Sequence, residues 1–183
     1  MLRALYRFIY FRLLGWKLED HRPPDMPNYI IVVAPHTSNW DFPLGVLVRR
    51  IARLGDTRYL AKASLFRPPL GWFFRALGGY PVDRSKSQNM VDQVVTYFRE
   101  VPGFKLAITP EGTRKRQDNW KTGFYYIAKA ANVPIILCAL DYGRKTVSFS
   151  APFVMSDDKD ADIERMKDHY RNVKGCNPEL GVF

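Results

Sequence analysis

Two uninterrupted apolar runs constrain the fold more than anything else in the chain. Tyr29–Ala34 reads YIIVVA and Pro134–Leu140 reads PIILCAL. Neither alternates apolar with polar residues, so neither suits a sheet with one wet face. Strands of this kind are buried on both sides, which requires helices above and below them. The intervening chain supplies both kinds of element. Gln88–Val101 has helical spacing through Val91, Val94, Val95 and Phe98, and Trp120–Ala131 reads as a helix ending at Asn132. Trp40 to about Leu54 reads as a helix capped by Ser38 or Asn39. Ser64–Leu77 is helical but interrupted at Pro68-Pro69. Arg58–Ala61, Tyr80–Val82 and Lys105–Thr109 are short strands. Thr146–Ser150 pairs beside the second apolar run, and Asp160–Val173 is a polar helix. The expectation is an α/β fold, with a largely parallel central sheet flanked by helices. No internal repeat or linker divides the 183 residues, a length that suits one domain.

The first 22 residues stand apart from this pattern. Met1–Leu18 reads MLRALYRFIYFRLLGWKL. On a helical wheel Arg3, Arg7 and Lys17 share one side. Leu2, Leu5, Phe8, Ile9, Phe11, Leu13 and Trp16 spread across the other, with Arg12 among them. The apolar stretches are too short to span a bilayer, which takes about 20 residues. No signal-peptide core or cleavage site is present. Two placements fit: a basic amphipathic helix over residues 1–22 lying in a membrane interface, or a helix packed on the domain formed by residues 23–183. The basic punctuation and aromatic load favour the membrane.

Charge narrows the partners. The chain carries 28 Lys+Arg against 18 Asp+Glu, a net +10, and residues 49–86 hold nine basic side chains against two acidic ones. Such a surplus implies an anionic partner: nucleic acid, anionic lipid or a phosphorylated substrate. No nucleic-acid-reading module is found, so lipid or phosphate is favoured and nucleic acid is not expected. Two cysteines are too few for a disulfide framework. No cluster has metal-ligand spacing, so no metal is expected. Nucleophile-elbow, P-loop and dinucleotide glycine motifs are absent.

In parallel sheets chemistry gathers at the carboxyl ends of strands. After YIIVVA comes Pro35-His36-Thr37-Ser38-Asn39-Trp40-Asp41. His36, left extended before a helix, can be reached by Asp41 from the first turn. The carboxylate would accept the imidazole N–H and leave a general base. Taken alone, the pair is a weak signal, and a strand-end histidine with a helix N-terminal charge describes it better. After KLAIT comes Thr109-Pro110-Glu111-Gly112-Thr113-Arg114-Lys115-Arg116, a tight turn with three cations suited to phosphate. Glu111 there can orient a cation or bond a substrate hydroxyl. A third stretch, Gly79-Tyr80-Pro81-Val82-Asp83-Arg84, adds Arg84.

These stretches, in this order, resemble the glycerophospholipid acyltransferase superfamily, especially the bacterial 1-acylglycerol-3-phosphate (lysophosphatidic acid) acyltransferases. PHTSNWD matches the family's His-x4-Asp box, GYPVDR its Asp-Arg block, TPEGTR its Pro-Glu-Gly-Thr-Arg block and VPIIL its Val-Pro-Ile block. KASLF, PLGW and WKTGF are supporting matches. Pro35, Thr109 and Leu137 depart from the usual Asn, Phe and Pro.

The resemblance implies a glycerol-3-phosphate acyltransferase-like fold and an O-acyltransferase without metal, acyl-enzyme or cofactor. His36 would be the general base, with Asp41 orienting it. Arg84, Glu111, Gly112, Thr113 and Arg114 would bind the acceptor. The donor would be acyl-CoA or acyl-carrier protein, and the acceptor a lysophospholipid, foremost 1-acylglycerol-3-phosphate giving phosphatidate. Another lysolipid or an amino-acid lipid as acceptor, and a non-catalytic lipid-binding protein, are the alternatives. A backbone N–H at the helix start after His36 is one candidate for the oxyanion. The expected location is peripheral, on the cytoplasmic face of the inner membrane.

Overall fold

A computed structural model describes residues 2–55, 57–82 and 87–181. Seven strands form one sheet: β1 (Lys17–Asp20), β2 (Tyr29–Ala34), β3 (Thr57–Lys62), β4 (Gly79–Val82), β5 (Lys105–Ile108), β6 (Ile135–Asp141) and β7 (Thr146–Phe149). Their order across the sheet is β1-β7-β6-β2-β5-β3-β4. All pairings are parallel except β6 with β7, the hairpin expected after the Asp141–Lys145 turn. The α/β fold with a largely parallel sheet is therefore observed.

The two apolar runs are neighbours at the centre, with Ile30 opposite Ile135 and Ala34 opposite Ala139. Their side chains divide by the two-residue period of a strand. Ile30, Val32 and Ala34 join Ile135, Leu137 and Ala139 in one core. Ile31 joins Ile136, Cys138 and Leu140 in the other. The first core is covered by α4 (Ser87–Glu100), α5 (Gly123–Ala131) and α6 (Lys159–Tyr170) through Val94, Phe98, Phe124, Ile127, Met166 and Tyr170. The second is covered by α2 (Asp41–Ile51) through Leu44, Val48 and Ile51. Asn132 ends α5 in the left-handed conformation, as its position predicted.

The N-terminal segment differs from its expectation. Helix α1 (Leu2–Arg7) continues as a π-helical turn only to Leu13. Gly15, at φ +69°, turns the chain and Trp16 is buried. Lys17–Asp20 then becomes the edge strand β1, pairing with β7, so Lys17 belongs to the sheet and not to a helix. The first 22 residues thus hold a short helix and a strand rather than one interfacial helix. The cause is tertiary: ladder hydrogen bonds and burial of Trp16 outweigh a weak helical pattern. Tyr10 is fully buried and donates to the Lys17 carbonyl at 2.8 Å, while Arg3 donates to the Ile51 carbonyl at 3.0 Å. One face of the segment therefore packs on the domain. Leu2, Leu5, Phe8 and Leu13 remain exposed.

Between β3 and β4 a 3-10 turn (Ala63–Phe66) and the short helix α3 (Gly71–Ala76) replace a single helix, divided at the expected prolines. Among the described residues, no helix is long and apolar enough to cross a membrane.

Candidate active site

Strands β5, β2 and β6 lie side by side, so the chain leaving their carboxyl ends converges on one place. The chain after β2 carries His36 to Asp41. The chain after β5 carries Thr109 to Arg114, and the chain after β6 carries Tyr142.

Asp41 begins α2 and faces back across the loop. Its Oδ2 accepts from His36 Nδ1 at 2.9 Å and from the backbone N–H groups of Thr37 and Ser38, both at 3.0 Å. Its Oδ1 accepts from the Tyr142 hydroxyl at 2.7 Å. Burial alone would raise the Asp41 carboxyl. The bonds from His36, Tyr142 and the Ser38 N–H outweigh it and hold the group below its ordinary value. Asp41 is therefore a carboxylate and can only accept. That assigns the proton on His36 to Nδ1 and leaves the lone pair on Nε2. The five-residue spacing works as expected, because His36 precedes the helix and Asp41 opens it.

Glu111 does not face outwards. It is buried, and its Oε1 accepts the His36 backbone N–H at 3.1 Å. Its Oε2 is enclosed and has no hydrogen-bond partner among the described residues. Burial raises its carboxyl above the ordinary value. As placed, Glu111 fixes the peptide of His36 from behind.

The N–H groups after His36 are committed as well. Those of Thr37 and Ser38 go to Asp41, and that of Trp40 goes to Ser38 Oγ at 3.2 Å. The Thr37 and Ser38 donors are therefore taken by Asp41 and are not open to a substrate oxygen. The carboxyl-terminal segment also reaches this loop. Asn177 donates through its N–H to Thr37 Oγ1 at 3.1 Å and through Nδ2 to the Thr37 carbonyl at 2.7 Å.

His36 and Asp41 open onto a cavity of about 760 Å³. One part runs between α2 and the sheet and is lined by Ile31, Val33, Val48, Leu54, Leu140 and Phe149. Gly112, Thr113 and Arg114 line it near the strand ends, and Arg58 and Lys121 line it too. Lys121 was not singled out as a site residue, although WKTGF was noted. It is tied to the loop by its N–H, which donates to the Pro110 carbonyl at 2.8 Å. Gly112 sits at φ +64°, and a Cβ there would come within 2.9 Å of Lys121 Nζ. Arg49, in the basic 49–86 stretch, donates to the carbonyls of Leu77 at 2.8 Å and Leu54 at 3.3 Å. Arg84 and Asp83 lie outside the described residues. No three His, Cys, Asp or Glu side chains come together as a metal site among the described residues.

A positioned imidazole base thus opens onto an apolar slot with cations at its side. This arrangement can deprotonate a hydroxyl while holding an alkyl chain and an anion. Residues 17–141 match the family model described as Acyltransferase. The chain is 32% identical over 142 residues to the 1-acyl-sn-glycerol-3-phosphate acyltransferase of Salmonella typhimurium, covering 73% of this chain and 56% of that protein. It is 31% identical over 132 residues to the protein of the same name from Escherichia coli, covering 68% and 52%. The protein of that name from Saccharomyces cerevisiae is 34% identical over 114 residues, covering 58% and 36%. The matched region spans about half the length of the bacterial relatives.

Proposed function

This chain belongs to the acyltransferase family, and on that premise we propose that it moves a fatty acyl group from an acyl thioester to a lysophospholipid hydroxyl. The acceptor is 1-acylglycerol-3-phosphate and the product phosphatidate. The names of the relatives support the acceptor. The observation that carries the chemistry is the His36–Asp41 pair at the mouth of an apolar slot flanked by Arg58, Arg114 and Lys121.

His36 Nε2 takes the proton of the acceptor hydroxyl as its oxygen attacks the thioester carbonyl carbon. The tetrahedral intermediate collapses: the new C–O ester bond stays, the C–S bond breaks, and the leaving thiolate takes the proton from the imidazolium. Asp41 holds the imidazole in the tautomer that can accept and stabilises its charged form. The slot takes the acyl chain. Arg114 and Lys121 hold the acceptor phosphate, together with Arg84. Acyl-CoA and acyl-carrier protein both present a thioester to this chemistry. The exposed Leu2, Leu5, Phe8 and Leu13 of the N-terminal helix rest in the cytoplasmic leaflet of the membrane that holds the acceptor.

The test is transfer of labelled acyl groups from each thioester to a panel of lysolipids and amino-acid lipids. His36→Ala is expected to lose at least about 10²-fold in kcat. Equal rates in the variant would overturn the role of His36. Transfer to other acceptors but not to 1-acylglycerol-3-phosphate would overturn the acceptor. Binding of lipid without transfer by the wild type would make this a lipid-binding protein.

A further inference from the structure

The connection from β3 to β4 is used neither by the core nor by the reaction. Phe66 in its 3-10 turn is buried, and its ring meets that of Phe74 at 6.3 Å. The remaining large apolar side chains face water. Leu65 is 43% exposed, Leu70 58%, Trp72 72% and Phe73 44%. Four such side chains within nine residues form a patch of the kind that marks an interaction surface.

Charge identifies the partner. From Thr57 to Val82 the sequence has four basic residues, Arg58, Lys62, Arg67 and Arg75, and no acidic one. Arg67 is exposed between Leu65 and Leu70. Tryptophan and phenylalanine beside arginine, with no carboxylate, suit the boundary between headgroups and acyl chains. The rings enter the apolar side there and the guanidinium meets lipid phosphate.

The patch is coupled to the cavity. Tyr59 donates its hydroxyl to the Phe74 carbonyl at 3.5 Å, and its ring meets Phe42 edge-on at 5.6 Å. Both Tyr59 and Phe42 line the cavity, as does Leu77 just beyond α3. None of Leu65, Arg67, Leu70, Trp72 and Phe73 lines it.

We propose that Leu65, Leu70, Trp72 and Phe73, with Arg67, form a docking surface for an anionic phospholipid bilayer, separate from the N-terminal helix. Docking there sets the cavity wall against the membrane. A lipid substrate then slides from the bilayer into the slot without exposing its chain to water, a transfer that costs about 0.8 kcal/mol per CH₂. The inference rests on the reading of this chain as a lipid acyltransferase for its purpose, while the contact is measurable without turnover.

The experiment is flotation of the full chain with phosphatidylcholine vesicles and with vesicles containing phosphatidylglycerol. Binding is expected to prefer the anionic vesicles. Trp72→Ser with Phe73→Ser should weaken it about tenfold or more, and Arg67→Glu should remove most of the preference for anionic lipid. The same losses should appear on top of Leu5→Ser with Phe8→Ser in the N-terminal helix. Brominated phospholipids should quench tryptophan fluorescence, and Trp72→Phe should reduce that quenching. Unchanged flotation of the Trp72/Phe73 variant, or quenching insensitive to Trp72, would overturn the proposal. So would a shift from dimer to monomer in that variant with vesicle binding intact, which would make the patch a contact between copies of the chain. Acyl transfer to detergent-dispersed acceptor should stay within about twofold of wild type in the patch variants, because they leave the His36 site intact. Failure of the wild type in that assay would sink the acyltransferase reading and leave the vesicle result standing.

Discussion

The hydroxyl of Tyr142 donates to Asp41 Oδ1 at 2.7 Å, on the carboxylate oxygen opposite the one that holds His36. The two residues lie 101 positions apart in sequence. They meet because Ala34, the last residue of β2, is aligned with Ala139, two residues before the end of β6. Trp16 packs edge-on against Tyr142 at 4.9 Å and steadies its ring. The charge-bearing member of the proposed catalytic pair is thus held from three directions: its histidine, its own loop and the β6–β7 turn.

Tyr142→Phe removes one of these holds and keeps the ring. A hydrogen bond to a carboxylate contributes about 1.5–3 kcal/mol, so kcat should fall by about tenfold. The KM for the acyl thioester should change by less than about twofold, because Tyr142 does not line the slot. The stability lost with the hydroxyl should be present at neutral pH. It should shrink as the pH falls through the lowered Asp41 value, where the carboxylate that accepts the bond disappears. Steady-state kinetics and melting curves across pH check both statements. A rise in KM without a fall in kcat would show that Tyr142 acts on substrate rather than on Asp41.

Asp41→Asn separates charge from loop geometry. An amide oxygen at the Oδ2 position can still accept from Thr37 and Ser38. Folding should survive, while transfer should drop by about 10²–10⁴-fold, because the imidazolium loses its counter-charge. Asp41→Ala should lose comparable activity and also about 1–3 kcal/mol of stability, since two backbone donors are left unmet. Chemical denaturation of the two variants beside wild type distinguishes these cases.

Glu111→Gln tests the buried carboxyl behind His36. The amide oxygen can still accept the His36 N–H, and the charge that burial disfavours is gone. Because the folded-state value of Glu111 is raised, the wild type loses stability as pH rises through it and is unaffected below its unfolded value. The variant should therefore match wild type near about pH 4 and become the more stable of the two towards about pH 8. A stability gap constant with pH would mean that Glu111 is not the group responsible. Activity should stay within about tenfold of wild type, because its oxygen positions a peptide and carries no proton in the reaction.

Gly175→Ala probes the clamp on the loop that carries His36 and Asp41. A Cβ at Gly175 would stand 2.7 Å from Thr37 Oγ1 and 3.1 Å from Pro35 Cγ, so the Asn177–Thr37 contacts must shift. Activity is expected to fall by about tenfold or more, since displacing a positioned base by a fraction of an ångström is enough. Gly55→Ala, which meets nothing within 4 Å, should leave the rate unchanged and serves as the control.

Local chemistry carried much of this structure into the sequence. Continuous apolar runs announced β2 and β6, proline placed the break before α3, and the spacing of His36 and Asp41 announced their contact. What lay hidden depended on strand alignment. Tyr142, Asn177 and Gly175 fall outside the family-matched residues 17–141 and bear no motif of their own. They reach the site only because the sheet order brings their loops there. The direction of Glu111 is not legible either: residue type offers it to a cation or a substrate hydroxyl, and only the turn shows that its Oε1 accepts the His36 peptide N–H. β1 was missed because four residues at a sheet edge, KLED, have burial on only one position and no apolar alternation to read.

The alternation along β2 and β6 gives the molecule two histories within single strands. Ile31, Val33 and Leu140 look into the slot, while Ile30, Val32, Leu137 and Ala139 look into the opposite core. What the slot admits is therefore set by every second residue, and the packing of the opposite core by the residues between. A lineage can widen or shorten the slot by substitution at Val33 or Leu140 while the packing beneath α4, α5 and α6 stays as it was. The slot and the core beneath α4, α5 and α6 are set by alternating letters of the same six- or seven-residue runs, while Ile31 and Leu140 also belong to the core under α2.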